Sequence, residues 1–169
     1  MLIVPVTHAD LPDLVKLVNS AYRGDSSRAG WTTEADILTG IRTDIATLQQ
    51  EFELPGVHML KAVNEAGAIV ACVYLQQTDQ KLYLGMLTVS PELQNKGVGK
   101  QLLQRAEQVA KERNCSHISM TVISVRKELI AWYERHGYQA TGERKPFVVG
   151  EHIGNPLQPL EFIVLEKWL

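Results

Sequence analysis

The sequence is poor in the features that mark disulfide-rich, nucleic-acid-binding and membrane proteins. Its 169 residues contain two cysteines, Cys72 and Cys115, which do not form a C-x-x-C pair. We therefore expect neither a disulfide framework nor a structural zinc site, and we expect a reducing, cytoplasmic environment. The formal net charge of −2 gives no electrostatic reason to expect nucleic-acid binding. The N-terminal residues lack a signal-peptide pattern, and no apolar run approaches the ~20 residues of a membrane helix.

The composition is that of an ordinary globular protein. Hydrophobic residues make up 45% of the chain and charged residues 21%, so collagen-like, disordered and coiled-coil proteins are excluded. A chain of this length buries roughly 70% of its unfolded surface, which is enough for one core. Because no repeat, linker or low-complexity tract divides the sequence, we predict a single domain over residues 1–169.

The first third of the chain reads mainly as helix. A short strand over Leu2–Val6 is followed by a helix that Asp10 caps and that runs to about Tyr22. The polar, glycine-flanked segment Arg23–Gly30 predicts a loop. Apolar residues at helical spacing then predict a second helix, which Thr33 caps. These apolar residues are Ile37, Ile41, Ile45, Leu48 and Phe52.

After Pro55-Gly56 the hydrophobic period becomes that of strands. Short turn segments separate three predicted strands, which are Val57–Val63, Ala68–Gln77 and Lys81–Val89. An amphipathic helix from Gly97, a strand around Met120, a helix around Trp132 and two closing strands follow. This order predicts an α/β (α+β) fold, in which a mixed sheet has helices on both faces.

The segment Leu87–Lys100 is a strand, a turn and the start of a helix, and it contains two glycines. Glycines at a helix N-terminus let backbone N–H groups converge on an anion, so the segment predicts a pyrophosphate site. A Walker loop does not fit, because Gln101 follows Gly99-Lys100 where Ser or Thr is required. The dinucleotide motif G-x-G-x-x-G does not fit either, because Leu102 occupies the third glycine position.

The pattern Q-x-x-G-x-G, formed by Gln94, Gly97 and Gly99, resembles the acyl-CoA-binding motif of the GNAT superfamily of N-acetyltransferases. A second signature of that family, Y-x-x-x-G-[FY], matches Tyr133–Tyr138 in the expected helix. The resemblance implies a mostly antiparallel sheet of about seven strands. It also implies that the parallel strands Lys81–Val89 and Ser116–Val122 splay apart at the centre and hold acetyl-CoA between them.

The resemblance also assigns residues to the cofactor. Most of these residues bind through the main chain, along the strand and around the helix start. They are Leu87, Thr88, Val89, Gln94, Asn95, Lys96, Gly97, Val98, Gly99 and Lys100. Arg126 occupies a position where relatives often have asparagine. It is interpreted as a partner of a cofactor phosphate or, equally, as a solvated arginine of the first helical turn.

The catalytic residue implied by the resemblance is Tyr133, as the acid that protonates the leaving thiolate. The alternative is a core tyrosine that packs beside Trp132. No carboxylate lies on the fourth predicted strand, Lys81–Val89, where many relatives have a general base. Tyr83 is a possible water-holding substitute on that strand. Acidic residues elsewhere are further candidates, namely Glu34, Asp36, Glu143 and Glu151.

The acceptor site is predicted to form from two loops, Tyr22–Asp36 and Lys145–Pro159, because loops on a rigid scaffold determine specificity. Within the first loop, Arg28 is a candidate for an acceptor carboxylate and Trp31 for a pocket wall. Glu34 in the same loop and Tyr83 on the strand Lys81–Val89 are further candidates for the acceptor site. Solvated arginines and a packing tryptophan are the alternatives. The five histidines have no metal-ligand spacing, so no metal is predicted.

The leading functional hypothesis is an acetyl-CoA-dependent N-acetyltransferase that acts on a small-molecule or peptide amine, as a monomer or homodimer. The absence of a carboxylate on the fourth strand leaves a non-catalytic acyl-CoA-binding module as the alternative. A protein acetylase recruited to a partner surface is a third possibility. Neither nucleic acid nor a membrane is an expected partner.

Overall fold

The computed structural model describes residues 1–148 and 154–169. Its main sheet has seven strands in the order β1-β3-β4-β5-β6-β9-β7, and β2 and β8 form a separate two-stranded sheet. The strands are β1 (Leu2–Pro5), β2 (Leu38–Thr39), β3 (Leu60–Val63), β4 (Ile69–Thr78), β5 (Lys81–Val89), β6 (His117–Ile123), β7 (Gln139–Pro146), β8 (Asn155–Pro156) and β9 (Glu161–Trp168). The helices are α1 (Leu11–Tyr22), α2 (Gly24–Ser27), α3 (Ile45–Phe52), α4 (Val98–Glu112) and α5 (Lys127–Arg135).

The sheet is mixed, as predicted, because β5 and β6 are parallel and the other main-sheet pairs are antiparallel. The parallel pair is short: Lys81 faces His117, Leu82 faces Ile118 and Tyr83 faces Ser119. Beyond Tyr83 the two strands diverge, while β6 stays paired with β9 up to Ile123. This divergence opens a gap in the middle of the sheet, which the resemblance predicts.

Helices cover both faces of the sheet because the central strand β4 is apolar on both faces. Ala71, Val73 and Leu75 belong to the core beneath α4 and α5. Cys72 and Tyr74 alternate with them and belong to the core beneath α1 and α3. This pattern is typical of a strand that is covered on both sides.

The predicted second helix is wrong over most of its length. Leu38 and Thr39 instead form β2 and pair with Pro156 and Asn155, and Gly40 then adopts a left-handed φ of +85°. Helical structure begins only at α3, where the Asp44 carboxylate accepts a hydrogen bond from the Thr47 amide at 2.7 Å. The helical spacing was misleading because two of its apolar residues lie on the surface. These are Ile41 and Ile45.

Two smaller predictions also need correction. The segment predicted as a loop contains the short helix α2. Asp10 occupies the N-cap position of α1, but its side chain does not cap that helix. The Asp10 carboxylate instead binds the Thr7 amide at 2.8 Å and the Lys61 ammonium at 2.7 Å. Among the helices of the described residues, none has the length and apolar character needed to cross a bilayer.

Candidate active site

A β-bulge in β5 lies where the central gap begins. Cys72 pairs with Thr88 and Tyr74 pairs with Gly85, so two residues of β5 stand opposite one residue of β4. One of these two residues, Met86, has a left-handed φ of +50°. Bulges of this kind interrupt the ladder and redirect the strand. Backbone groups at Met86 and Leu87 are thereby released from regular pairing with β4.

The turn after β5 prepares the N-terminus of α4 for an anion. Gly97 is the N-cap of α4 and has a φ of +84°, which residues with a Cβ rarely adopt. A Cβ on Gly99 would lie 3.3 Å from the Trp132 ring. The first amides of a helix have no partner within that helix, and the helix dipole adds positive potential there. The segment therefore has free amides and a positive potential that suit an anion, and a pyrophosphate there stays a prediction.

Gln94 joins this turn to the loop that follows α2. Its side-chain amide donates to the Val89 carbonyl at 3.1 Å, and its amide oxygen accepts from the Thr32 backbone at 3.2 Å. A Cβ on Gly30 would clash with this side chain. The glutamine of the motif thus has a local structural role, since Gln94 binds both the turn and the neighbouring loop.

A cavity of about 300 Å³ lies over the turn, between β5 and α5. Trp31 and Trp132 are two of its walls, so Trp31 lies at the predicted cofactor site rather than at the acceptor site. Arg126 and Tyr133 also line it. The predicted cofactor residues at this cavity are Leu87, Thr88, Val89, Gln94, Asn95, Gly97, Gly99 and Lys100.

A second cavity, of about 390 Å³, occupies the gap between the diverging strands. Tyr83 and Glu34, two of the residues predicted for the acceptor, line it. Tyr83 lies against Gly85, where an added Cβ would be 2.9 Å from the tyrosine ring. Glycine at position 85 therefore allows this ring to lie along β5 toward the bulge.

Tyr133 lines both cavities, and so does Leu87. The Tyr133 side chain is buried, and no hydrogen bond joins its hydroxyl to a residue that the structure describes. Burial raises the pKa of this hydroxyl well above its usual range, so Tyr133 stays protonated at neutral pH. A tyrosine thus lies where the two cavities meet, and its role as a catalytic acid stays a prediction.

Arg126 is buried, so the interpretation as a solvated arginine is wrong. Its guanidinium donates to a Glu34 carboxylate oxygen at 3.1 Å and to the Thr32 hydroxyl at 2.6 Å. The other Glu34 oxygen accepts from Arg23 at 2.9 Å. Glu34 is therefore held between two arginines, and both of its carboxylate oxygens already accept hydrogen bonds. A contact of Arg126 with a cofactor phosphate stays a prediction.

Several predicted residues lie away from the two cavities. Arg28 is half exposed and pairs with Asp36 at 2.7 Å, so the structure does not bring it to the site. Lys96 is exposed, and Val98 is buried in the core beneath α4. Of the other candidate bases, Glu143 lies on the exposed strand β7. Glu151 lies outside the described residues.

Sequence reasoning missed several polar residues of the second cavity, among them Arg42, Glu51, Tyr74 and Gln76. Thr47 and Glu51 are four residues apart and therefore lie on one face of α3. Two polar residues on one face of a helix are the sequence signal that could have identified Glu51. Tyr74 was hidden in a strand that reads as purely apolar. Its hydroxyl donates to the Glu51 carbonyl at 3.3 Å.

Comparison with protein families identifies this arrangement. The model of the acetyltransferase (GNAT) family matches residues 13–138, which include the turn, the bulge and Tyr133. The chain belongs to the GNAT family.

Two Bacillus subtilis proteins, both uncharacterized, are similar to part of the chain. YdhI is 33% identical over 78 residues, which are 46% of this chain and 48% of YdhI. YxbD is 25% identical over 87 residues, which are 52% of each chain. The chain thus spans about half the length of the curated relatives it matches.

Solved structures share the GNAT fold over most or all of the chain. Ribosomal-protein-alanine N-acetyltransferase from Brucella melitensis has a TM-score of 0.73 and 20% identity, with both chains fully covered. The ribosomal-protein-S18-alanine N-acetyltransferase of Escherichia coli has a TM-score of 0.74 and 14% identity, with 99% of this chain and 92% of that chain covered. A Bacillus anthracis protein proposed to be a streptothricin acetyltransferase was crystallised with acetyl coenzyme A. It has a TM-score of 0.60 and 20% identity over 72% of this chain and 67% of that chain.

Proposed function

We propose that this GNAT chain transfers the acetyl group of acetyl-CoA to a primary amine of a small molecule. The observation that carries the proposal is the meeting of two cavities at Tyr133 and Leu87. The cavity over the turn has the amides that suit a pyrophosphate. The cavity in the gap is lined by polar and aromatic side chains and has a volume that suits a small acceptor.

The residues around the cavity over the turn each have a proposed role in holding the cofactor. The amides at the start of α4, with Lys100 beside them, would hold the pyrophosphate. The backbone of Leu87–Val89 would lie along the pantetheine arm, which is narrow enough for the gap beside β5. Acetyl-CoA supplies an activated thioester. The Bacillus anthracis relative, which was crystallised with acetyl coenzyme A, supports this choice of donor.

The reaction forms a bond between the amine nitrogen and the acetyl carbon and breaks the bond from that carbon to sulfur. A backbone N–H at Met86 or Leu87 would stabilise the carbonyl oxygen, because the bulge takes these groups out of the ladder. The Tyr133 hydroxyl would give its proton to the sulfur and would then be reprotonated through solvent, as the amine nitrogen loses a proton to form the amide. Burial raises the pKa of Tyr133, which keeps the hydroxyl protonated and available as this donor at neutral pH.

The proposal is tested by measuring free thiol released from acetyl-CoA with a panel of primary amines. Turnover that depends on the amine supports an N-acetyltransferase. A parallel series with propionyl-CoA and longer acyl-CoA donors tests the choice of acetyl-CoA. If calorimetry shows that CoA binds but no thiol is released with any amine or any acyl-CoA donor, the result would contradict the proposal. It would favour the non-catalytic acyl-CoA-binding module.

A further inference from the structure

The second cavity is lined by one carboxylate and one guanidinium that form no ion pair with a described residue. Glu51, from α3, and Arg42, from the segment before it, both line the cavity. Neither side chain forms an ion pair or a hydrogen bond with any residue that the structure describes. The other charged groups of the cavity differ in this respect, because Glu34 is bound by Arg23 and Arg126.

The position of Arg42 is fixed by contacts that leave its donors available. Its backbone amide binds the Asn19 side chain at 2.8 Å, and its guanidinium lies 5.4 Å from the centre of the Tyr22 ring. The Tyr22 hydroxyl in turn donates to the Leu87 carbonyl at 3.0 Å, next to the bulge. Arg42 is thus held near the end of the cavity where transfer occurs, and a planar guanidinium suits carboxylates and related oxyanions.

The environment of Glu51 is partly desolvated. Burial raises the pKa of this carboxyl, and the charge of Arg42 opposes that shift. Burial and then the Glu51 charge raise the pKa of the Tyr74 hydroxyl to about 12. A half-buried carboxylate without a bonded partner is costly, and a cationic ligand group relieves that cost.

We infer that Glu51 and Arg42 form the acceptor subsite, and that the acceptor is a small primary amine that also has an acidic group. This inference rests on the proposed function. Glu51 binds the ammonium group and accepts its proton before the amine attacks, while Arg42 binds the carboxylate or phosphonate of the same molecule. The rings of Tyr74, Tyr83 and Phe162 surround the remaining apolar part. Glu51 thereby supplies the carboxylate that β5 lacks.

The inference is tested by calorimetry of CoA-loaded protein with matched probes. The probes are aromatic and aliphatic L-amino acids, their amides, their decarboxylated amines and their aminophosphonate analogues, together with 3-phenylpropionate, which has no amine. We expect the acidic amines to bind at least tenfold more tightly than the amides and simple amines. The amino acids and aminophosphonates distinguish the two kinds of acid. Arg42→Gln should remove the preference but should not weaken the binding of the simple amines.

Glu51→Gln should weaken the binding of every amine at least tenfold but leave 3-phenylpropionate unaffected. Glu53→Gln is the matched control, since Glu53 lies at the end of the same helix and is exposed. Equal affinity for acids and amides, retention of the preference in Arg42→Gln, or failure of every probe to bind would overturn the inference. If the binding pattern is as expected but the unmodified protein transfers no acetyl group to any amine, the result would contradict the proposed function instead.

Discussion

Two tyrosines on neighbouring elements show how much a residue's role depends on what its hydroxyl faces. Tyr133 and Tyr138 are both buried, and their rings meet edge to face with centres 5.7 Å apart. Tyr133 lines the two cavities. The Tyr138 hydroxyl is enclosed and has no hydrogen-bond partner among the described residues. The sequence signature contains both tyrosines but does not distinguish these environments.

We expect Tyr133→Phe to lower kcat by about 10²–10⁴, which is the usual contribution of a positioned acid. CoA affinity and the melting temperature should change little, because phenylalanine keeps the ring and its packing. Steady-state kinetics with the chemical step shown to be rate-limiting is the measurement. Unchanged kcat would remove Tyr133 from the mechanism and leave it as a packing residue.

Tyr138→Phe is the matched control, and it makes a prediction about stability. It deletes an enclosed hydroxyl whose desolvation is not compensated by a hydrogen bond, so the free energy of unfolding should rise by about 1 kcal/mol. Activity should stay at the wild-type level. Urea denaturation measures the first quantity. A loss of stability would mean that the Tyr138 hydroxyl has a bonded partner in solution.

At the scale of elements, the turn between β5 and α4 is the part of the site that the sequence predicts best. The proposed anion site is formed by backbone amides, and glycines in a sequence indicate a site of this kind. Gly97 and Gly67 allow a controlled test of this point. Both have a left-handed φ, +84° and +83°, and a Cβ on either would meet no atom within 4 Å. They differ in place, because Gly67 lies in the hairpin between β3 and β4.

Gly97→Glu should abolish measurable CoA binding, because a carboxylate would face the pyrophosphate at the start of α4. Gly67→Glu should leave CoA affinity unchanged. Both variants should lose similar stability, since each forces a side chain into the same strained backbone region. Calorimetry and thermal melting provide the two measurements. Equal CoA affinity in both variants would refute the assignment of the anion site.

The acceptor half of the site was much less predictable, for a physical reason. Helical spacing and motif glycines are local signals, whereas the second cavity is assembled from segments that lie far apart in the chain. The wrong helix over residues 33–44 shows the same limit. There the pairing of β2 with β8, more than 100 residues away, outweighs the local apolar spacing. Glu51 and Arg42 become recognisable as a pair only after that region has folded.

At the scale of the whole molecule, Glu34 connects three parts of the chain. It lies on the loop after α2 and binds Arg23 at the end of α1 and Arg126 at the start of α5. All three side chains are buried. The loop that Gln94 contacts is therefore also fixed from the opposite side. This arrangement joins the walls of the two cavities through one network of buried charges.

Because one carboxylate pairs with two buried arginines, its loss should be costly. We expect Glu34→Gln to lower the free energy of unfolding by about 3–5 kcal/mol, since both buried arginines would lose the carboxylate that they share. Arg126→Met should cost less, because Glu34 would keep its pair with Arg23. Asp36→Asn breaks the exposed pair with Arg28, which is also short at 2.7 Å, and should leave the denaturation midpoint nearly unchanged. Urea denaturation of the three variants tests this order. Equal losses for Glu34→Gln and Asp36→Asn would show that burial of the network contributes nothing to the fold.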